Sequence, residues 1–151
     1  MTDKDWMQQA LLLAQEAAAQ GEVPVGALVV KDGQVLAAGR NRRETAHNAL
    51  AHAEMEAISG ACAALGGWRL SGCTLYVTLE PCPMCAGAII NARIDRVVFG
   101  ADDPKAGSCG TLTDLFAAPY NHHPQVERGV LEEECAAVLR DFFKELRATR
   151  S

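Results

Sequence analysis

The chain has 151 residues, a formal net charge of −5, 49% hydrophobic and 22% charged residues. This length fits one domain, assigned to residues 1–151, and the composition excludes a disordered or fibrous chain. The acidic pI near 5.3 excludes indiscriminate electrostatic binding to nucleic acid but leaves room for a local basic patch. Uncharged stretches such as 81–92 are shorter than the ~18 residues of a membrane span, and no secretory signal is visible, so we expect no membrane association and a cytoplasmic location.

The first third of the chain predicts a helix followed by a strand pair. The stretch Trp6–Gln20 is rich in alanine and leucine and stops at Gly21, as expected for a helix. Two short apolar strands, Val23–Val30 and Gln34–Ala38, flank Asp32-Gly33, a dipeptide typical of a tight antiparallel turn.

The middle of the chain predicts a strand–helix–strand unit. After a helix at His52–Leu65, the β-branched and aromatic residues of Cys73–Leu79 favour a strand. Pro83–Ala92 follows as a helix and Arg96–Phe99 as a further strand. A helix between consecutive strands predicts that part of the sheet is parallel, with a right-handed crossover.

The last third begins with loops and ends in a helix. Residues 100–130 are expected to be loops with one helical turn near Leu112–Phe116, and they are the expected place of a substrate rim. The final helix carries acidic residues in its first turn and basic residues toward its end, as the helix dipole favours. Its apolar face predicts packing against the rest of the domain and consists of Leu131, Cys135, Val138, Leu139, Phe142, Phe143 and Leu146.

Two segments carry the residues of chemical interest, AHAE at 51–54 and EPCPMC at 80–85. Cys82 and Cys85 are three residues apart at a predicted helix start, so both sulfurs face one side and can share a metal ion. His52, at the start of another helix, adds a nitrogen. Three such ligands leave a tetrahedral zinc ion with one open position for water. Two thiolates and a neutral imidazole balance the charge of Zn²⁺, and a bound hydroxide would be the nucleophile.

Glu54 follows His52 by two residues, and at this spacing the two side chains can face one pocket only under a structural condition. In a regular helix the two side chains would be nearly opposite, so both face a pocket only if His52 sits at the helix entry. Glu54 would then move protons between water and substrate without binding the metal. Taken singly, Glu54 would be a surface residue, His52 a structural one, and the cysteine pair a redox or structural metal motif. Their joint order favours a catalytic zinc centre.

The remaining cysteines are expected to play other roles. A closed structural zinc site needs a fourth ligand, for which Cys73 and Cys109 are the candidates, but neither has the paired spacing of a zinc knuckle. We expect Cys62, Cys73 and Cys135 to be small buried residues, and Cys109 has no predicted role. In a cytosolic chain the six cysteines are not expected to form a disulfide framework.

The two motifs resemble those of the zinc-dependent cytidine-deaminase superfamily, and more closely those of its bacterial tRNA-specific adenosine deaminases. The similarity extends over nearly the whole chain. The last of its segments favours the tRNA-editing branch over the free-nucleoside deaminases. The segments are VPVGALVV at 23–30, TLEPCPMCAGAI at 78–89, RVVFG at 96–100 and GVLEEECAAVLRDFF at 129–143.

The resemblance implies a three-layer α/β fold, with a mixed sheet of about five strands flanked by helices. It implies hydrolysis of adenosine to inosine at the wobble position of a tRNA anticodon loop, in an arginine tRNA, by a homodimer. Each subunit would bind one zinc ion through His52, Cys82 and Cys85, with hydroxide attacking C6 of adenine and Glu54 shuttling protons. The alternatives are a deaminase of a free base or nucleoside (guanine, cytosine or cytidine) and a non-enzymatic zinc module.

The resemblance also implies substrate contacts. Asn41 matches an asparagine that contacts the target base in the family, although in isolation it is a polar residue ending a strand. The backbone of Ala53 would lie beside the purine. RNA contacts are implied for four residues of the loops after the last predicted strand: Asp103, Lys105, Asn121 and His122.

A local basic excess on the last helix gives two further candidates. Arg140 and Lys144 are candidate phosphate contacts. The alternative is a solvated helix end whose positive charges complement the dipole.

Overall fold

A computed structural model describes residues 1–150 of the chain. Within them lie four α-helices, Asp3–Ala19 (α1), Ala53–Leu65 (α2), Pro83–Ala92 (α3) and Glu132–Arg150 (α4). The same residues contain five strands, Gly26–Lys31 (β1), Gln34–Arg40 (β2), Thr74–Leu79 (β3), Arg96–Ala101 (β4) and Gln125–Arg128 (β5).

The described strands form one mixed sheet in the order β2-β1-β3-β4-β5. β1 pairs antiparallel with β2 and β3, whereas β4 pairs parallel with β3 and β5. The predicted hairpin around Asp32-Gly33 and the parallel β3–α3–β4 unit are therefore confirmed.

Helices cover both faces of this sheet. Successive side chains of a strand point to opposite faces. In β1, Ala27 and Val29 pack with α2 and α3, whereas Leu28 and Val30 pack with α1 and α4. Strands β3 and β4 show the same alternation. The three-layer α/β fold is thus confirmed, with burial on both faces as its main stabilising contribution.

Helix α2 lies directly on strand β2 at Gly39. A Cβ atom at this position would overlap the carbonyl oxygen of Ala53, and it would lie 2.9 Å from the backbone nitrogen of Ala57. Only glycine permits this close approach. It seats the first turn of α2 against the sheet, and that turn carries the residues of the active site.

Helix α1 begins earlier than predicted, at Asp3 rather than Trp6. The reason is a capping box. The Thr2 hydroxyl accepts a hydrogen bond from the backbone N–H of Asp5 (3.2 Å), and the Asp5 carboxylate accepts one from that of Thr2 (2.9 Å). The prediction started the helix at its first large apolar residue and so missed this turn.

The strand bounds also differ. β1 begins at Gly26 rather than Val23, because Pro24 has no N–H to donate to a sheet. β2 continues to Arg40 rather than Ala38.

The prediction that residues 100–130 are loops is wrong at 100–101, which end β4, and at 125–128, which form β5. All four side chains of β5 are exposed, so its sequence lacks the apolar alternation that identifies a strand. It is an edge strand, recruited by backbone pairing with β4. The helical turn predicted at Leu112–Phe116 is a 3₁₀ turn at Leu115–Ala117, because the Asp114 carboxylate accepts a hydrogen bond from the Phe116 N–H and caps it there.

Helix α4 packs against the sheet as predicted, through buried Cys135 and through Val138, and Leu131, directly before the helix, packs with them. Phe143 is an exception: it is 39% exposed, so its predicted packing against the rest of the domain is wrong. Cys73 is buried as predicted, whereas Cys62 is only partly buried, and all six cysteines are free thiols.

An ion pair connects the start of α1 to the sheet. The Arg96 guanidinium donates to both carboxylate oxygens of Asp3 (2.9 and 2.6 Å), and the Tyr76 hydroxyl donates to Asp3 Oδ1 (2.7 Å). The hydrogen bonds from Arg96 lower the pKa of Asp3, although partial burial opposes them.

We expect Asp3→Asn to lower the free energy of unfolding by about 1 kcal/mol at pH 7, because the pair is partly solvent-screened. Since the folded-state pKa is depressed, this stabilisation is present above the ordinary value of 3.8 and is lost as pH falls through the lower folded-state pKa. Urea unfolding of the wild type and of Asp3→Asn, at pH 7 and at a pH below the folded-state pKa of Asp3, measures the difference in the free energy of unfolding. Glu16→Gln, which changes an exposed carboxylate of α1, is the control; equal losses in both variants would contradict the prediction.

None of the helices in the described part of the chain is both long and apolar enough to cross a membrane.

Candidate active site

The predicted metal ligands meet where α2 and α3 begin. His52 is the N-cap residue of α2, Cys82 is the N-cap residue of α3, and Cys85 lies in the first turn of α3. His52 Nδ1 lies 3.7 Å from Cys82 Sγ and 3.5 Å from Cys85 Sγ. The condition stated for His52 and Glu54 is therefore met: His52 is at the helix entry and Glu54 is in the first turn.

This set of donor atoms fits Zn²⁺. A tetrahedral ion about 2.0 Å from nitrogen and about 2.3 Å from sulfur holds those atoms about 3.5 Å apart. The two observed nitrogen–sulfur distances, 3.7 and 3.5 Å, are close to this value. Within the described residues the group of mutually close donors has three members, with all ligand atoms within 4.8 Å of one another. Cys73 and Cys109 are outside it, so a fourth coordination position is left for water.

Hydrogen bonds among the three donors redistribute their protons. The hydrogen bonds from Cys85 and His52 lower the pKa of Cys82 to about 4, although burial opposes them. In turn, donation to Cys82 raises the pKa of Cys85, and the bond to Cys82 raises that of His52. Because a cation must displace the remaining protons, metal binding is expected to strengthen as pH rises.

Glu54 lies beside this group, with only 4% of its surface exposed. Burial raises the pKa of its carboxyl group to about 7. A group with this pKa can both accept and release a proton near neutral pH. Glu54 is not one of the clustered donors within the described residues, which agrees with a carboxylate that acts without binding metal.

A cavity of about 210 Å³ opens above these residues. Its lining is apolar at Val23, Val25 and Leu79, and Ala53 lines it as well. An apolar pocket with a few converging polar groups is the usual form of a small-molecule site.

Asn41 lines this cavity and is 8% exposed. Its amide also holds the backbone, since Nδ2 donates to the Val23 carbonyl (3.1 Å) and Oδ1 accepts from the Arg43 N–H (3.1 Å). Each end of an amide has further hydrogen-bonding capacity. The predicted contact of Asn41 with a base stays a prediction, and the structure adds a scaffold role.

Residues 102–111, here called the rim loop, follow β4 and form one side of the cavity. Asp103 lines the cavity, and its carboxylate accepts hydrogen bonds from the backbone N–H groups of Lys105 (2.9 Å) and Ala106 (3.3 Å). A larger groove runs between the rim loop and α4 and shares four lining residues with the cavity, Val23, Arg43, Leu79 and Asp103. We call it the basic groove, because its lining has five basic side chains against three acidic ones, with Phe143 among them. The basic side chains are Arg43, Lys105, Arg140, Lys144 and Arg147.

The structure thus brings four of the six predicted RNA contacts to one place: Asp103, Lys105, Arg140 and Lys144. Asn121 and His122 lie elsewhere. His122 Nε2 forms a hydrogen bond with the Ile94 carbonyl (2.7 Å) at the start of β4, whereas the cavity lies at the opposite end of that strand. The contact of Asn121 and His122 with RNA stays a prediction, and the fold places neither residue at the cavity.

Sequence reasoning missed two buried carboxylates beside the cavity. Glu22, 1% exposed, accepts hydrogen bonds from the backbone N–H groups of Glu44 (3.1 Å) and Thr45 (2.7 Å). Burial opposes ionisation of Glu22, yet these donors hold its pKa below the ordinary value. Glu80, 2% exposed, accepts hydrogen bonds from the rim-loop backbone N–H groups of Asp103 (3.0 Å) and Cys109 (3.0 Å). In the sequence, each of these two residues could have been recognised as an acidic residue directly flanking an apolar strand.

Comparisons with known proteins agree on the family. The MafB19-like deaminase family matches residues 1–147. The chain is 53% identical over 146 residues to a tRNA-specific adenosine deaminase of Bacillus subtilis (strain 168), covering 96% of this chain and 91% of the relative.

Two solved structures are similar as well. One, from work on A-to-I editing by tRNA:A34 deaminases at the wobble position, has a TM-score of 0.86 and 47% identity, covering 89% of this chain and 99% of the other. The other is a guanine deaminase from Bacillus subtilis, with a TM-score of 0.67 and 41% identity, covering 77% of this chain and 74% of the other. The chain belongs to the MafB19-like deaminases and to the family of tRNA-specific adenosine deaminases.

Proposed function

We propose that the chain hydrolyses adenosine to inosine, releasing ammonia, at the wobble position of a tRNA anticodon. One observation carries this proposal: His52, Cys82 and Glu54 line a cavity, Cys85 clusters with His52 and Cys82, and the cavity shares lining residues with the basic groove. The relationship to tRNA-specific adenosine deaminases supports it.

His52 and the thiolates of Cys82 and Cys85 would hold one Zn²⁺ per subunit. When bound, Zn²⁺ acidifies a water ligand enough for it to act as a nucleophile at neutral pH. The remaining chemistry belongs to the chain. Glu54 accepts one proton of the attacking water and delivers it to the ring nitrogen. It then transfers the second proton of that water, from the oxygen now bonded to C6, to the amino group, which leaves as ammonia.

The cavity walls have a separate task. Val23, Val25 and Leu79, which line the cavity, exclude water from the face of the base. The backbone of Ala53 and the Asn41 amide orient its polar edge. Anticodon bases are poorly stacked, so moving one into the cavity costs less than extracting it from a duplex.

The basic groove supports an RNA substrate. The chain is acidic overall, yet the groove gathers positive side chains from the rim loop, α4 and Arg43. Exposed Phe143 among them offers an aromatic face for base stacking. Arg140 is already paired with Glu133 (2.8 Å), whereas Lys144 forms no ion pair among the described residues, so Lys144 is the stronger candidate for a phosphate contact.

We expect Lys144→Ala to weaken tRNA binding severalfold and to reduce the slope of log Kd against log salt concentration by about 1, as expected for one lost phosphate contact. Fluorescence anisotropy over a salt series measures both. Lys4→Ala, which removes an exposed lysine in the first turn of α1 that does not line the groove, should leave the slope unchanged. An unchanged slope for Lys144→Ala would exclude the contact.

The free-base alternative has its own support, the 41% identity to a guanine deaminase. A direct assay separates the two. The zinc-loaded protein is incubated with an arginine tRNA that carries a wobble adenosine, and in parallel with guanine, cytosine, cytidine and adenosine. We expect inosine in the tRNA with equimolar ammonia. Ammonia from a free base without inosine in the tRNA would replace this proposal with the alternative.

We further infer that residues 1–151 act as one domain, that two copies form a homodimer, and that the protein works in the cytoplasm. Both apolar clusters share one sheet, which supports a single domain. Several large apolar side chains are exposed, as expected of a subunit with a partner, including Leu50, Trp68, Leu112 and Tyr120. Light scattering of the purified protein tests the dimer.

A further inference from the structure

The Glu80 carboxylate is saturated by the rim loop and takes no part in the chemistry proposed above. Oε1 accepts hydrogen bonds from the Asp103 N–H (3.0 Å) and the Thr111 hydroxyl (2.5 Å). Oε2 accepts them from the N–H groups of Cys109 (3.0 Å) and Thr111 (3.1 Å). A carboxylate offers about four acceptor positions, so the loop fills them all.

A second connection holds the loop from the edge of the sheet. Arg128, in β5, donates to the Asp102 carboxylate (2.7 Å) and to the Thr111 hydroxyl oxygen (3.1 Å). The Thr111 hydroxyl therefore accepts from Arg128 while it donates to Glu80. It joins the buried carboxylate to the surface ion pair in one hydrogen-bonded network.

The loop also closes directly on Glu80. A Cβ at Gly107 would lie 2.5 Å from Glu80 Oε1 and 2.5 Å from the Asp103 carbonyl oxygen, so glycine is required for this approach. Two independent features, the saturated carboxylate and the missing side chain, thus fix the same segment.

The fixed segment carries Asp103 and Ala106 at the cavity and Lys105 in the basic groove. A loop that is ordered before the substrate arrives saves the entropy of ordering it on binding. We propose that Glu80 and Thr111 are positioning residues for RNA recognition, which hold the rim loop in its RNA-binding conformation. This inference rests on the proposed function.

The test uses Thr111 rather than Glu80, because Glu80 lies two residues from the proposed ligand Cys82. Thr111→Val removes the hydroxyl and keeps the shape, and Thr111→Ser restores the hydroxyl. Thr113→Val is the matched control, since this exposed threonine contacts the loop through its backbone carbonyl, which accepts from the Gly110 N–H (2.9 Å).

The first readout is hydrogen–deuterium exchange of the rim loop in the RNA-free protein. We expect about tenfold faster exchange in Thr111→Val, the effect of losing one hydrogen bond to a charged group, with Thr111→Ser and Thr113→Val like the wild type. Exchange in Thr111→Val equal to the wild type would overturn the claim that the network holds the loop. This readout needs no activity.

The second readout is the affinity for a labelled anticodon stem–loop RNA with a wobble adenosine, together with steady-state kinetics and zinc content. We expect Kd and KM to rise about tenfold in Thr111→Val, with kcat changed by less than about twofold and zinc unchanged. Faster loop exchange with unchanged Kd and KM would overturn the role in recognition. A wild-type protein that neither binds nor deaminates this RNA would contradict the proposed function, while the exchange data still decide whether the network holds the loop.

Discussion

Glu54→Gln is expected to reduce turnover by about 10²–10⁴-fold while zinc remains bound. The amide has nearly the same shape as the carboxylate, but it cannot accept the proton of the attacking water. Glu54 lies outside the clustered donors within the described residues, so metal binding should not depend on it. Inosine formation in single-turnover assays, measured beside zinc content by atomic absorption, checks both parts.

The matched control is Glu56→Gln on the same helix, because Glu56 pairs with Arg42 (2.8 Å) rather than lining the cavity. Its turnover should stay close to that of the wild type. Loss of zinc in Glu54→Gln would instead place Glu54 among the ligands, and undiminished turnover would remove it from the mechanism.

Cys82→Ser is expected to lose the metal and to lose at least as much activity as Glu54→Gln. Serine replaces a thiolate by a hydroxyl that stays protonated at neutral pH, which removes both a soft donor and a negative charge. Zinc should fall from about one per chain to a substoichiometric amount. Chelators should strip the wild-type protein faster at low pH, because protons then compete with zinc for His52 and the thiols.

The control for this variant is Cys62→Ser, since Cys62 contacts the Trp68 carbonyl (3.7 Å) and lies outside the cluster. It should keep its zinc. X-ray absorption at the zinc edge of the wild type should report two sulfurs, one nitrogen and one further light atom. Four protein ligands with no exchangeable water would support the non-enzymatic zinc module.

The sequence was most informative where chemistry and local structure coincide. His52, Cys82 and Cys85 follow helix-start signals, so their spacing alone predicted where the side chains point. The central strands were predictable because both of their faces are apolar. β5 was not, because its pairing with β4 depends on backbone hydrogen bonds rather than on its side chains.

The same contrast applies around the cavity. Glu80 was visible as part of a motif, but its role depends on hydrogen-bond donors more than twenty residues away in sequence. Only the tertiary fold brings these donors to its carboxylate. Phe143 had the spacing of a buried residue, yet α4 extends past the sheet, so that Phe143 lines the basic groove instead. Asn121 and His122 lie near the rim loop in sequence but at the opposite end of β4, because β5 runs parallel to β4 and the chain returns to the start of β4 before β5 begins.

The helices that carry the metal ligands both begin without a capping hydrogen bond. Neither His52 nor Cys82 forms one with its side chain, although each occupies the N-cap position. An aspartate or serine there would stabilise such a helix by roughly 1 kcal/mol. If these residues bind zinc as proposed, the protein gives up stability at two helix ends to keep a nitrogen and a sulfur free for the metal. Sequence libraries selected for heat resistance alone should accumulate capping residues at these two positions and lose activity as they do so.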